Sequence, residues 1–147
     1  QGFNIKGFSL LEIIISIILI AIITSFAIPK FTNINYNTNI STLKSQLALI
    51  QNGIVKYKNK NILLSNNEEL IILDDVTQNS SGEKLFSKVI DFSIVSTNNT
   101  KRESGMWAKI ANNSYAFYLL RDKSALFSFE NGIFLCKSSE ELCREIE

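Results

Sequence analysis

The sequence contains no histidine, which excludes histidine general bases and His-containing zinc sites at the outset. A single proline and six glycines exclude collagen-like and proline-rich architectures. Charge of one sign is also missing. Fifteen basic and fourteen acidic residues leave a formal net charge of +1, so no bulk charge draws the protein to nucleic acid or to an anionic membrane surface. There is no G-x-S-x-G elbow, no P-loop and no glycine-rich dinucleotide turn. No catalytic residue, metal site or cofactor is therefore assigned, and a non-enzymatic protein is expected. The length of 147 residues suits one domain of ordinary size with a modest core.

What is present is unevenly distributed. Residues 13–28 are all uncharged, and thirteen of these sixteen are apolar, nine of them isoleucine; only Ser16, Thr24 and Ser25 interrupt the run. Extended back to Phe8, the run holds one charge, Glu12. As a helix it would be about 30 Å long, the thickness of a bilayer core. Lys6 precedes the run, which by the positive-inside tendency leaves the N-terminus cytoplasmic and exports the rest. Three readings compete. One is a cleaved secretory signal, with small residues at Ser25-Phe26-Ala27. Another is a plain signal anchor. Both leave Glu12 to be explained, since an acid near the bilayer centre costs about 2.5–3.5 kcal/mol, and less if it snorkels to the headgroups.

The third reading takes Lys6-Gly7-Phe8-Ser9-Leu10-Leu11-Glu12 as one unit. With it the sequence resembles the type IV pilin and pseudopilin family. In that family a dedicated peptidase cuts after a glycine on the cytoplasmic side of the apolar run. The new N-terminal phenylalanine is N-methylated, and a glutamate stands four residues on. Gly7, Phe8 and Glu12 fit those positions, and Pro29 falls where the family has a proline in the same helix. The resemblance implies cleavage between Gly7 and Phe8, methylation of Phe8, and assembly through Phe8, Glu12 and Pro29. In a staggered bundle Glu12 would reach the Phe8 amine of the next subunit. Burying an otherwise costly carboxylate there gives register as well as attraction. Ala21 stands where the family often has a glycine, a departure that weakens any melting of this segment during assembly.

Beyond Pro29 the pattern becomes that of a soluble amphipathic helix. Ile40, Leu43, Leu47, Ile50, Ile54 and Tyr57 recur at spacings of three and four, with Leu49 and Val55 expected to widen the stripe. The opposite face carries Ser41, Ser45, Asn52, Lys56 and Asn59. Packing against the protein's own sheet is favoured over a coiled coil. Residues 59–81 read as a polar connection, with a short helix expected near 68–73 and another over 83–90. Strands are expected within 91–95, over 106–110, 115–120, 126–130 and 133–136, with a polar turn at 121–124. Asn131-Gly132 is a strong hairpin signal. The expected fold class is α+β: a long N-terminal helix, membrane stem plus amphipathic half, packed on a small antiparallel sheet in the pilin manner.

Cys136 and Cys143 end the chain with six residues between them. Two free thiols are one reading. In an exported domain a disulfide is favoured, as in many members of the family it resembles. Asp74-Asp75 could belong to a calcium loop, but lacking EF-hand spacing it reads better as a solvated turn. The clusters Lys56, Lys58, Lys60 and Lys101-Arg102 read as solvated faces, so nucleic acid enters only indirectly, through DNA uptake.

The expected organisation is a leader over residues 1–7, truncated at its start because Gln1 is not methionine, an assembly helix over 8–30, and a periplasmic head over 31–147. The resemblance implies a single-pass inner-membrane protein with the head in the periplasm. Its partners would be copies of itself, other pilins or pseudopilins, the prepilin peptidase and the inner-membrane assembly platform. The leading reading is a pseudopilin of a type II secretion or transformation system. A major or minor pilin of a surface pilus and a signal-anchored periplasmic binding domain are the alternatives.

Overall fold

The computed structural model describes residues 8–66 and 68–146. The architecture is α+β. Helix α1 (Leu10–Leu63) is followed by two short strands, β1 (Lys84–Leu85) and β2 (Ile94–Val95). Four longer strands follow, β3 (Trp107–Ala111), β4 (Ser114–Leu120), β5 (Lys123–Glu130) and β6 (Ile133–Cys136), and then helix α2 (Glu140–Ile146). The chain divides into two compact units between Asn35 and Tyr36, and α1 contributes to both.

In the second unit, β3-β4-β5-β6 form an antiparallel meander, each strand paired with its sequence neighbour. The β5–β6 hairpin closes on Asn131 and Gly132, both at positive φ (51° and 72°), as a two-residue turn matched to strand twist requires. Ile40, Leu43, Leu47, Ile50 and Ile54 are buried in one cluster with Trp107, Tyr115, Phe117, Phe127 and Phe134 of the sheet. Two polar bonds fix helix and sheet together. The Trp107 indole N–H donates to Gln46 Oε1 (2.7 Å), and Asn39 Nδ2 donates to the Leu119 carbonyl (2.7 Å). Gly53 marks a close backbone approach, since a β-carbon there would lie 2.2 Å from the Val89 carbonyl oxygen.

Several expectations need correction. Leu49 and Val55 do not widen the buried stripe; they are 45% and 55% exposed, each about 100° around the helix from Ile50 or Ile54. No helix forms over 68–73. Its carbonyls and their neighbours serve tertiary donors instead: Asn61 Nδ2 to Glu68, Asn113 Nδ2 to Ile71, and the Lys88 N–H to Leu73. Residues 83–90 are likewise not a helix. Lys84–Leu85 pairs with Ile94–Val95, and Phe86, at φ 59°, turns the chain. The turn at 121–124 shrinks to Arg121 and Asp122, because Lys123 pairs with Leu120 as the start of β5.

Helix α2 was not anticipated. Its signal is Ser139-Glu140-Glu141, a capping serine followed by acids in the first turn. The Ser139 carbonyl accepts from Cys143 N–H, and Ser139 Oγ accepts from Leu142 N–H. Ile146 is buried, and Cys136 and Cys143 are joined by a disulfide across 5.8 Å between α-carbons. The Tyr36 hydroxyl donates to Glu145 Oε2 (3.1 Å), so α2 is tied to the head portion of α1 as well.

Candidate functional site

In the first unit α1 starts at Leu10, which makes Ser9 its N-cap and Glu12 its third residue. The Glu12 N–H donates to the Ser9 carbonyl (3.0 Å) and to Ser9 Oγ (3.3 Å). Ser9-Leu10-Leu11-Glu12 thus has the Ser-x-x-Glu form of a capping box. Sequence reasoning gave Glu12 an assembly role and overlooked this local one, whose signal was the serine three residues before it. The two roles are compatible, because the third helical position places a carboxylate at the positive end of the helix dipole. Phe8 is 77% exposed and Glu12 is exposed; among the described residues no Lys or Arg pairs with Glu12. Gly7 and Lys6 lie outside the described residues, as do the other residues expected to form a leader.

Leu10–Ile28 is a nineteen-residue span of mean hydropathy 2.7 with none of it buried. At 1.5 Å per residue it is about 28 Å long, enough to cross a hydrocarbon core. Its hydroxyls are turned back onto the helix. Ser16 Oγ donates to the Glu12 carbonyl (2.7 Å), Thr24 Oγ1 lies 2.9 Å from Ile20 O and 3.0 Å from Ala21 O, and Ser25 Oγ donates to Ile22 O (2.7 Å). A helix that bonds its polar side chains internally and is apolar all round is matched to lipid or to other such helices. Pro29 lies inside α1 and supplies no N–H to the Ser25 carbonyl, so the ladder loses a rung where the apolar span ends.

The head offers no comparable constellation. An open cleft of about 500 Å³ lies between the end of α1 near Tyr57 and Asn61 and the Asn131-Gly132 turn. Among the described residues no three Asp, Glu or Cys side chains converge to hold a metal ion. In the basic clusters, Lys56 pairs with Asp91 (3.3 Å) at the surface, and Arg102 Nε donates to the Asn99 carbonyl (2.8 Å). Asp75 meets Lys88 (2.8 Å) at the surface, but Asp74 is not part of a solvated turn.

Asp74 is fully buried and paired with buried Lys109 on β3. Tyr115 on β4 and the Phe86 N–H also donate to its carboxylate. Burial, then the neighbouring Asp74 charge and hydrogen bond, push the Tyr115 phenol far above its ordinary value, so it remains a protonated donor. No sequence pattern marks this cluster, because a lysine within an apolar strand looks like any outward-facing residue.

Residues 2–28 match the family model described as the prokaryotic N-terminal methylation motif, the signature of type IV pilins and pseudopilins. No curated protein and no solved structure matches the chain. The motif implies processing by a prepilin peptidase and assembly with other pilin subunits, and its family is structural rather than enzymatic. With the apolar span it fits a membrane-anchored protein.

Proposed function

We propose that the chain is a filament subunit that assembles through its N-terminal helix. The peptidase cuts between Gly7 and Phe8, and the exposed Phe8 becomes the N-methylated terminus. Until extraction the apolar span holds the subunit in the inner membrane, with the head in the periplasm. Burial of Leu10–Ile28 among neighbouring stems drives assembly, and Glu12 sets the stagger by meeting the Phe8 amine of the next subunit. Pro29, at the end of the span, gives the helix a point of local freedom as it packs.

The observation that carries this reading is the coincidence at one place of the methylation motif, a carboxylate at the third helical position and an unburied apolar span. A secreted domain needs no Glu12, and a plain anchor needs neither Gly7 nor Phe8. Within filament systems we favour a periplasmic pseudopilin filament of type II secretion or DNA uptake over a surface pilus, because the aromatic strands from Trp107 to Phe134 resemble pseudopilin-type heads. N-terminal mass analysis of protein from its native membrane tests the pathway. A chain beginning at N-methylated Phe8 is expected. One beginning at Ile28, or one left uncut, would remove the filament reading.

A further inference from the structure

The Asp74–Lys109 pair is built unlike an ordinary ion pair. Both side chains are buried, at 0% and 5% exposure, with Nζ 2.7 Å from Asp74 Oδ1 and 3.3 Å from the Asp74 carbonyl. The two carboxylate oxygens are held differently. Oδ2 accepts from the Tyr115 hydroxyl (2.9 Å) and from the Phe86 N–H (3.0 Å), whereas Oδ1 faces the amine and accepts a longer bond from the Val76 N–H (3.2 Å). Aromatic rings pack beside the site: Lys109 Nζ stands 5.9 Å from the Tyr115 ring centroid, and Phe86 stands 4.7 Å from Tyr115, centroid to centroid.

We propose that Asp74 and Lys109 join in an intramolecular isopeptide bond, the head modifying itself at this site. Nζ and Oδ1 are in hydrogen-bond contact, so the reaction starts with transfer of one proton from Nζ to Oδ1 along that bond. That transfer leaves a neutral amine beside a neutral carboxylic acid. The Nζ lone pair attacks Asp74 Cγ, and negative charge develops on Oδ2, where the Tyr115 hydroxyl and the Phe86 N–H form an oxyanion hole. Oδ1 takes a second proton from Nζ and leaves as water as the C–O bond breaks. The product is an Nζ–Cγ amide, and no oxidant, metal or co-reactant is needed. Condensation is unfavourable between free molecules in water. Here the reactants are held in contact by the fold, which supplies the large effective concentration of an intramolecular reaction. The bond would tie the connection after α1 covalently to β3. It does not depend on the filament reading.

Denatured protein digested with trypsin tests it. Residues 61–84 and 103–121 are expected as one branched species, lighter by one water than the two peptides together, with cleavage after Lys109 blocked. Free peptides 103–109 and 110–121 in full yield would overturn the proposal and leave a simple ion pair. Tyr115→Phe removes one of the two Oδ2 donors and should slow formation at least tenfold in protein whose Cys136–Cys143 bond still forms. Cross-linking of Tyr115→Phe at the rate of the unaltered chain would overturn the oxyanion role.

Discussion

Replacing Ser9 and Glu12 separately by alanine sets two accounts of the N-terminus against each other. Within one helix, Ser9 is the more important residue. Its Oγ and carbonyl both receive the Glu12 N–H, and loss of such a cap costs about 0.5–2 kcal/mol, whereas a carboxylate in the first turn contributes about 0.3–1 kcal/mol. Between helices the ranking reverses. Without Glu12, the Phe8 ammonium of a neighbour is left unpaired among apolar stems, at a cost on the insertion scale of about 2.5–3.5 kcal/mol. That corresponds to about two orders of magnitude in the equilibrium for adding each subunit. Both variants should be cleaved and methylated normally in cells that carry the assembly machinery, as N-terminal mass will show. Multimers trapped by chemical cross-linking in the envelope of those cells should be retained with Ser9→Ala and lost with Glu12→Ala. Assembly of Glu12→Ala together with failure of Ser9→Ala would show that helix capping, and not pairing between subunits, is what Glu12 provides.

Gly53→Ala should destabilise the head despite alanine's better helix propensity. That propensity gains about 1 kcal/mol, but the β-carbon meets Val89 backbone atoms at 2.2 and 2.9 Å, and such overpacking costs about 1–3 kcal/mol. A raised denaturation midpoint would contradict the close approach. Replacing Cys136 and Cys143 by serine should lose about 2.5 kcal/mol from an eight-residue loop, in the chain-entropy account, and expose α2 to proteolysis. Unchanged protease resistance would show that Ile146 and Leu142 hold α2 unaided. The Ser128 hydroxyl (2.8 Å), and after it Lys137 (3.2 Å), hold the Glu130 carboxyl below its usual range. A lowered native value means stability that is present above the unfolded-state value and lost as pH falls through the native one. The Glu130 carboxyl resonance in NMR should therefore titrate below the usual glutamate range and return most of the way in Ser128→Ala; an unmoved midpoint would refute the assignment.

The parts of the fold legible in the sequence were those written in a period or a turn. The recurrence from Ile40 to Tyr57 located the packed face of α1, and Asn131-Gly132 located a hairpin. The stem was legible from composition alone. What escaped was specified by partners distant in the chain. Leu70 and Leu73, three residues apart, fit a helical face equally well. Only the donors Asn61, Asn113 and Lys88, brought in from elsewhere, draw their surroundings into an irregular path. Asp74 looked like half of an acidic turn because Lys109 and Tyr115, its reasons for burial, lie on strands it is not adjacent to in sequence. The cap at Ser9 was legible and overlooked, because Glu12 already had an explanation.

The meander order of the sheet governs the sequence of events as the chain emerges from synthesis. Helix α1 emerges first; Leu85, Phe86 and Val89 supply part of the surface that covers its stripe, but the aromatic part comes from strands after residue 106, the last of them carrying Phe134. From Lys58 to Phe134 are 77 residues, which at about 5–20 residues per second take about 4–15 s to synthesise. Until that interval ends, Ile40, Leu43, Leu47, Ile50 and Ile54 lack the full set of aromatic residues that buries them. The strands themselves pair only with sequence neighbours, so once released they close quickly and in order, from β3 to β6. A chain truncated before β6 would keep an insertable stem and display an incompletely covered stripe, which makes it a substrate for proteolysis rather than a subunit.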